Sequence, residues 1–133
     1  PCLPYTDLLF PNEDEARHLT GLEDVAAAAA RLRELGAGSV ILKQGPNGCT
    51  VFTAEGSFRV PAFQVQPQDT TGAGDCFVGG FLAALHRGRH WEEAARFANA
   101  VGALSVERLG ATTNLRSFEE TEAWMARAPQ KAR

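Results

Sequence analysis

Two kinds of apolar pattern alternate along the chain. Leu8-Leu9-Phe10 and Val40-Ile41-Leu42 are short unbroken runs, as in strands covered on both faces, whereas longer stretches repeat apolar residues every three or four positions, as amphipathic helices do. The first run predicts a short strand ended by Pro11, followed by a helix over 12–20 that stops at Gly21. A second helix, over 24–35, carries Val25, Ala28, Ala29, Leu32 and Leu35 on one side, and Gly36 and Gly38 end it. The next strand is 39–43. Turn chemistry at Gly45-Pro46-Asn47-Gly48 leads into a β-hairpin insertion with strands at 50–53 and 57–60 around Ala54-Glu55-Gly56. After residues 64–68 and a glycine-rich stretch, a helix with Phe77, Val78, Phe81, Leu82 and Leu85 on one stripe is predicted. Another runs over 91–107 and breaks at Gly110, and the last opens at Ser117, where Ser117 and Glu120 form a capping box. This order is that of an α/β fold, with a mostly parallel sheet built near Leu8, Val40, Val51 and Phe58 and ligands at the carboxyl ends of the strands.

Composition narrows the class of partner. The chain has 133 residues, 44% of them apolar and 22% charged, enough for one core, and no internal repeat or linker divides it, so one domain over 1–133 is expected. A formal charge of −3 with acids and bases interleaved gives no basic face for nucleic acid or anionic lipid. No apolar stretch approaches membrane-spanning length, so neither nucleic acid nor membrane is expected as a partner. Three cysteines, Cys2, Cys49 and Cys76, without a C-x-x-C spacing, fit neither a disulfide framework nor a zinc site and suit a reducing cytoplasm. The chain opens at Pro1 and runs almost at once into its first strand, which suggests a piece of something longer.

The chemistry concentrates at Gly72-Ala73-Gly74-Asp75, just before a helix. Small residues there let unpaired backbone N–H groups approach an anion, and the helix dipole favours negative charge. The dinucleotide fingerprint fails because Phe77 occupies the third glycine position, and a Walker A loop fails because no Gly-Lys pair precedes Ser or Thr. What remains is a phosphate cradle carrying its own carboxylate, which suits proton abstraction from an attacking hydroxyl and therefore phosphoryl transfer.

The heptapeptide Asp69-Thr70-Thr71-Gly72-Ala73-Gly74-Asp75 resembles the signature of the ribokinase-like, or phosphofructokinase B, carbohydrate kinases. Asn12-Glu13-Asp14-Glu15 resembles that family's N-x-x-E motif, Lys43 to Gly48 its K-x-G-x-x-G turn, and Ala98-Asn99-Ala100 its adenine-side helix, in the family's order. The resemblance implies the carboxy-terminal, nucleotide-binding and catalytic portion of a three-layer α/β/α sandwich, in a kinase that moves the γ-phosphoryl group of ATP to a hydroxyl of a sugar. It implies Asp75 as general base and Gly72, Ala73 and Gly74 as the anion hole. Lys43, Gly45, Gly48 and Thr70 would line the nucleotide, and Asn99 would lie beside the adenine. Asn12 and Glu15 would hold Mg²⁺, mostly through water. Asp69, Thr71, Ser105, Arg108 and Gly110 resemble a monovalent-cation loop, with K⁺ as its ion.

Simpler readings stand beside these. Asn12 with Glu15 is also the pattern of a helix cap, Lys43 of a solvated strand end, and Cys76 of a packing residue despite its place at a helix start. His86, Arg87, Arg89 and His90 read as a solvated face, and Trp91 and Trp124 as packing. Most sugar contacts of the family would lie in an amino-terminal half not present here, and the exposed sheet edge predicts a homodimer or that half as partner. A vitamin kinase of the same superfold, acting on pyridoxal or hydroxymethylpyrimidine, is an alternative disfavoured by Asn12 to Glu15. A non-catalytic nucleotide-binding or oligomerisation remnant is another.

Overall fold

A computed structural model describes residues 2–132. They cluster into two compact units, one comprising the residues up to Gly45 with Cys49–Arg59, the other Pro46–Gly48 with the residues from Val60 onward. Among the described residues, no helix is long and apolar enough to cross a membrane.

The first unit is a four-stranded sheet with two helices. Its strands are β1 (Leu8–Leu9), β2 (Ser39–Lys43), β3 (Cys49–Thr53) and β4 (Gly56–Val60), side by side in that order. Helices α1 (Glu13–Thr20) and α2 (Val25–Glu34) carry the chain from β1 to β2, a crossover long enough to bring the two strands into parallel register, with Leu8 opposite Ser39. From β2 to β3 there is only a turn, and the pair is antiparallel, Ile41 facing Val51. The two residues Ala54 and Glu55 join β3 to β4, a connection short enough only for antiparallel neighbours. The α/β class stands, and the sheet is mixed: connection length, not strand composition, limits the parallel part to β1 and β2. Val40, Ile41 and Leu42 are all buried, as their unbroken apolar run requires. Alanines decide the helix packing. Ala16 of α1 and Ala28 and Ala29 of α2 are fully buried with Leu32, Val40 and Leu42, their small side chains letting the helices lie close to β2.

The second unit is helical: α3 (Ala73–His86), α4 (Trp91–Val106) and α5 (Phe118–Met125). Gly80 is the contact point of α3 and α4, since a β-carbon there would stand 2.9 Å from Val101 Cγ2 and 3.3 Å from Ala98 Cα. Trp91 packs edge-on against Phe81 with centroids 5.9 Å apart, and Trp124 lies 5.1 Å from Phe63, so both tryptophans are packing residues. The face at the α3–α4 turn is exposed, as expected, and its arginines also clasp α5. Arg87 bonds Glu119 at 2.9 Å and lies 4.5 Å over the Phe118 ring, Arg89 pairs with Glu122, and Phe118 stacks on Phe97 at 4.2 Å. His90 belongs to a helix cap, its N–H donating to Glu93 Oε2 at 3.2 Å. Sequence pattern missed the clasp because its partners lie more than thirty residues apart.

Gly48 and Gly45 make a controlled comparison. At Gly48 φ is +90° and a β-carbon would sit 2.1 Å from the Val60 carbonyl oxygen, a backbone atom that cannot swing away. At Gly45 φ is +52° and the space is open. Gly45→Ala should therefore cost about 1–2 kcal/mol for the left-handed backbone alone, and Gly48→Ala roughly 3–5 kcal/mol once overpacking is added. Urea unfolding of the two variants checks the order.

Candidate active site

Within the first unit, two of the expected site residues meet just past the carboxyl ends of the parallel strands. Asn12 and Lys43 form a parallel bridge, and the Lys43 N–H donates to the Pro11 carbonyl at 2.8 Å. That end of an α/β sheet is where ligands lie. Asn12 Oδ1 accepts from the Glu15 N–H at 2.8 Å while Glu15 Oε2 accepts from the Asn12 N–H at 2.8 Å. The structure thus shows the capping role directly. Glu15 is exposed, and its second carboxylate oxygen makes no bond among the described residues, which leaves it able to hold a hydrated cation. The Lys43 side chain has no salt bridge among the described residues.

The glycine-rich stretch lies in the second unit. Gly72 caps α3 in the left-handed conformation, φ +75°, with no side-chain cap. The first helical bond runs from the Cys76 N–H to the Gly72 carbonyl at 2.9 Å. Four amides precede it, and the one on Ala73 donates to the Thr70 carbonyl at 3.2 Å. Those of Gly72, Gly74 and Asp75 have no protein acceptor among the described residues. Of the three amides expected in the anion hole, that of Ala73 closes the turn, while those of Gly72 and Gly74, and with them Asp75, are open among the described residues. Asp75, exposed at the third helical position, has a carboxylate free of salt bridges among the described residues. Only glycine suits position 72, because a β-carbon would also stand 2.7 Å from Ala111 Cβ.

Asp69 ties this loop to the chain after α4. Its Oδ1 accepts from the Thr71 N–H at 2.9 Å and its Oδ2 from the Gly110 N–H at 2.9 Å. The N–H groups of Gln68 and Asp69 both donate to the Val106 carbonyl, at 2.6 and 3.1 Å. The Gly110 amide, then the bonds from Thr71, hold the Asp69 carboxyl below its usual pKa. The carbonyls of Thr71, Ser105, Arg108 and Gly110 accept no backbone bond from outside the helices among the described residues, and the hydroxyl of buried Ser105 donates to the Gly102 carbonyl at 2.7 Å. Cys76 donates its thiol to the Ala111 carbonyl at 3.2 Å. Burial pushes that thiol up, a hydrogen bond from Ser105 partly offsets it, and the charge of Asp75 adds to the rise. Cys76 is a packing residue and a tether to Ala111.

Asn99, expected beside an adenine, is anchored within the second unit. It is buried, and its Nδ2 donates to the carbonyls of Val60 at 3.1 Å and Pro61 at 3.2 Å. A polar residue on an alanine-rich face satisfies its amide internally, as a buried donor must. Gly48 likewise serves close approach to Val60 through Ala62.

Residues 1–117 match the family model for a pfkB family carbohydrate kinase. The chain belongs to that family. The aminoimidazole riboside kinase of Salmonella typhimurium is 44% identical over 107 residues, which are 77% of this chain and 34% of that protein. A ribokinase from Thermotoga maritima superposes with a TM-score of 0.88 at 39% identity, covering 93% of this chain and 43% of its own. A ribokinase II from E. coli in complex with ATP and Mg²⁺ gives a TM-score of 0.88 at 35% identity, covering 94% of this chain and 41% of its own. This pfkB-family chain thus has the ribokinase fold and spans less than half the length of the relatives it matches. The match includes all of Asp69 to Asp75 and ends just before α5.

Asp69 yields a signed prediction. Its folded pKa is lowered, so the stabilisation it gives is complete above its unfolded value, about pH 4, and is lost as pH falls through the folded value. Asp69→Ala should melt below wild type at pH 7, with a gap that narrows as pH falls below about 4. Thermal melts across that range check it.

Proposed function

We propose that the complete protein transfers the γ-phosphoryl group of ATP to a hydroxyl of a sugar or a sugar-bearing substrate such as a nucleoside. The observation that carries this reading is the start of α3, where the open amides of Gly72, Gly74 and Asp75 stand beside an exposed carboxylate in a chain of the carbohydrate kinase family.

In this reading the substrate oxygen attacks the γ-phosphorus, the bond from that phosphorus to the bridging oxygen breaks, and ADP leaves. Asp75 receives the hydroxyl proton as the new bond forms. The amides at the head of α3, fixed before substrate arrives, donate to oxygens on which negative charge builds. They need no reorganisation, since Gly72 is held left-handed against Ala111 and Asp69 pins both flanking loops. Asp75 weakens the cradle's hold on a resting anion by charge repulsion, so phosphate neutralised by Mg²⁺ binds there and the amides act most strongly on charge that develops as the proton is taken.

Magnesium, when bound with ATP, supplies neutralising charge on the phosphates. Among the described residues there is no group of three or more His, Cys, Asp or Glu side chains to ligate a metal directly, which fits an ion held through its water shell by Glu15, with Asn12 fixing the Glu15 carboxylate. Lys43 brings an unpaired cation to the strand ends. For K⁺, the loop carbonyls of Thr71, Arg108 and Gly110 are the donors proposed, with Asp69 as the strut that gathers them. Thr70, Gly45 and Gly48 remain in the proposed nucleotide surroundings.

The test is ADP release by the protein of the complete native reading frame, given ATP, Mg²⁺ and a panel of pentoses, hexoses and nucleosides. Saturable release that depends on one of these acceptors is expected, and release only with vitamin alcohols, or none, would overturn the reading. In that protein Asp75→Asn should lower turnover by on the order of a hundredfold or more while leaving ATP affinity unchanged or slightly improved. Near-normal turnover in Asp75→Asn would mean that another group takes the proton.

A further inference from the structure

The family match stops at residue 117, yet the chain after α5 folds back onto the second unit with more directed bonds than a loose end needs. The Gln64 N–H donates to the Pro129 carbonyl at 2.9 Å, the Lys131 N–H donates to the Ala62 carbonyl at 2.8 Å, and Phe63 pairs with Gln130 as an antiparallel bridge. The Gln130 side chain is fixed at both ends: its Nε2 donates to the Pro61 carbonyl at 3.1 Å and its Oε1 accepts from Arg96 Nε at 3.1 Å. Arg96 also donates to the Met125 carbonyl at 3.3 Å and lies 5.4 Å from the Phe63 ring centroid. With Gln130 anchored, Lys131 can reach only a small region, and its Nζ donates to the Pro46 carbonyl at 2.7 Å.

Pro46 belongs to the turn placed at the nucleotide by the K-x-G-x-x-G resemblance. The same turn is pressed onto Val60 through Ala62 by Gly48, whose missing β-carbon permits the contact. Val60 and Pro61 are also the acceptors of Asn99. Three elements distant in sequence, the 46–48 turn, α4 and the tail, therefore converge on one short backbone segment. Asn99 holds that segment from α4, Gln130 holds it from the tail, and Lys131 carries the hold across to the turn.

We propose that the segment after α5 is the support of the nucleotide-side turn, with Lys131 as a positioning residue for ATP. The inference rests on the kinase reading above for the identity of the ligand. One ammonium proton of Lys131 bonds the Pro46 carbonyl and adds to the hold on the turn. The other two are not used in this bond, and the charge stays beside the turn, where the kinase reading would bring the phosphates of ATP. A charge-assisted bond is stronger than a neutral one, so its loss should be legible in affinity.

The experiment uses the complete protein and measures the Kd of ATP and of ADP by calorimetry, together with KM for each substrate, kcat and Tm. Lys131→Ala should raise the nucleotide Kd and KM about five- to tenfold, leaving sugar KM and kcat within about twofold, and Lys131→Arg should restore most of the loss. A fall in Tm with unchanged nucleotide affinity would make the tail a structural strap only and overturn the proposal. Equal weakening toward sugar and nucleotide, or no rescue by arginine, would also overturn it. If the wild-type protein bound no nucleotide, the kinase reading itself would fall and the ligand named here with it. A wild type that binds ATP alongside an equally tight Lys131→Ala would sink this inference alone.

Discussion

Everything proposed for this chain depends on Gly72 holding a left-handed conformation at the head of α3. That one backbone choice ends the approach loop, starts the helix without a side-chain cap, and leaves three of the first four amides without an acceptor among the described residues. The conformation has a cause on each side. Ala111 lies so close that no side chain fits at position 72, and Asp69 binds Thr71 on the near side and Gly110 on the far side. An isolated glycine loop would sample many shapes and lose its donors to water or to itself. Here two loops that are forty residues apart brace each other, so the amides keep their direction before any ligand arrives, which is the condition for electrostatic stabilisation of a transition state.

The bracing is built from exposed and half-buried groups, and this shapes its vulnerability. Asp69 stabilises its neighbours only while ionised, since a protonated carboxyl accepts less well from two backbone donors. Cys76 reaches Ala111 through a weak thiol bond, with its charge state suppressed by burial. The helical pair beneath is more robust, with alanines of α4 and Gly80 of α3 packed too closely for larger residues. A stable base thus carries a brace whose strength follows acidity, and the chemistry is placed on the brace.

Sequence and structure agree where the determinants are local. The Val40 to Leu42 run is a buried strand, the Leu8 to Phe10 run gives a strand only half-buried, and Asn12 with Glu15 and Ser117 with Glu120 form capping boxes. The heptapeptide at 69–75 was legible because its chemistry lies within seven consecutive residues. What escaped is long-range. Asn99 looked like a ligand because a polar residue on an apolar face demands a partner, and no local pattern says whether that partner is an adenine or the carbonyls of Val60 and Pro61, some forty residues earlier. The bond from the Ala73 amide to the Thr70 carbonyl, likewise, has no separate sequence mark. The mixed sheet follows from connection lengths that were already visible, but strand composition suggested parallel pairing more strongly than it should have. The grip of the exposed arginines of the α3–α4 turn on α5 leaves no local mark, because α5 lies far along the chain.

The central claim is that an anion binds the head of α3 through backbone amides. Amide resonances of Gly72, Gly74 and Asp75, followed by heteronuclear NMR while ATP with Mg²⁺ is titrated in, test it most directly. These three should shift together and saturably, with the Ala73 amide, already bonded to Thr70, moving least. Saturable nucleotide binding that leaves these three amides unmoved would contradict it.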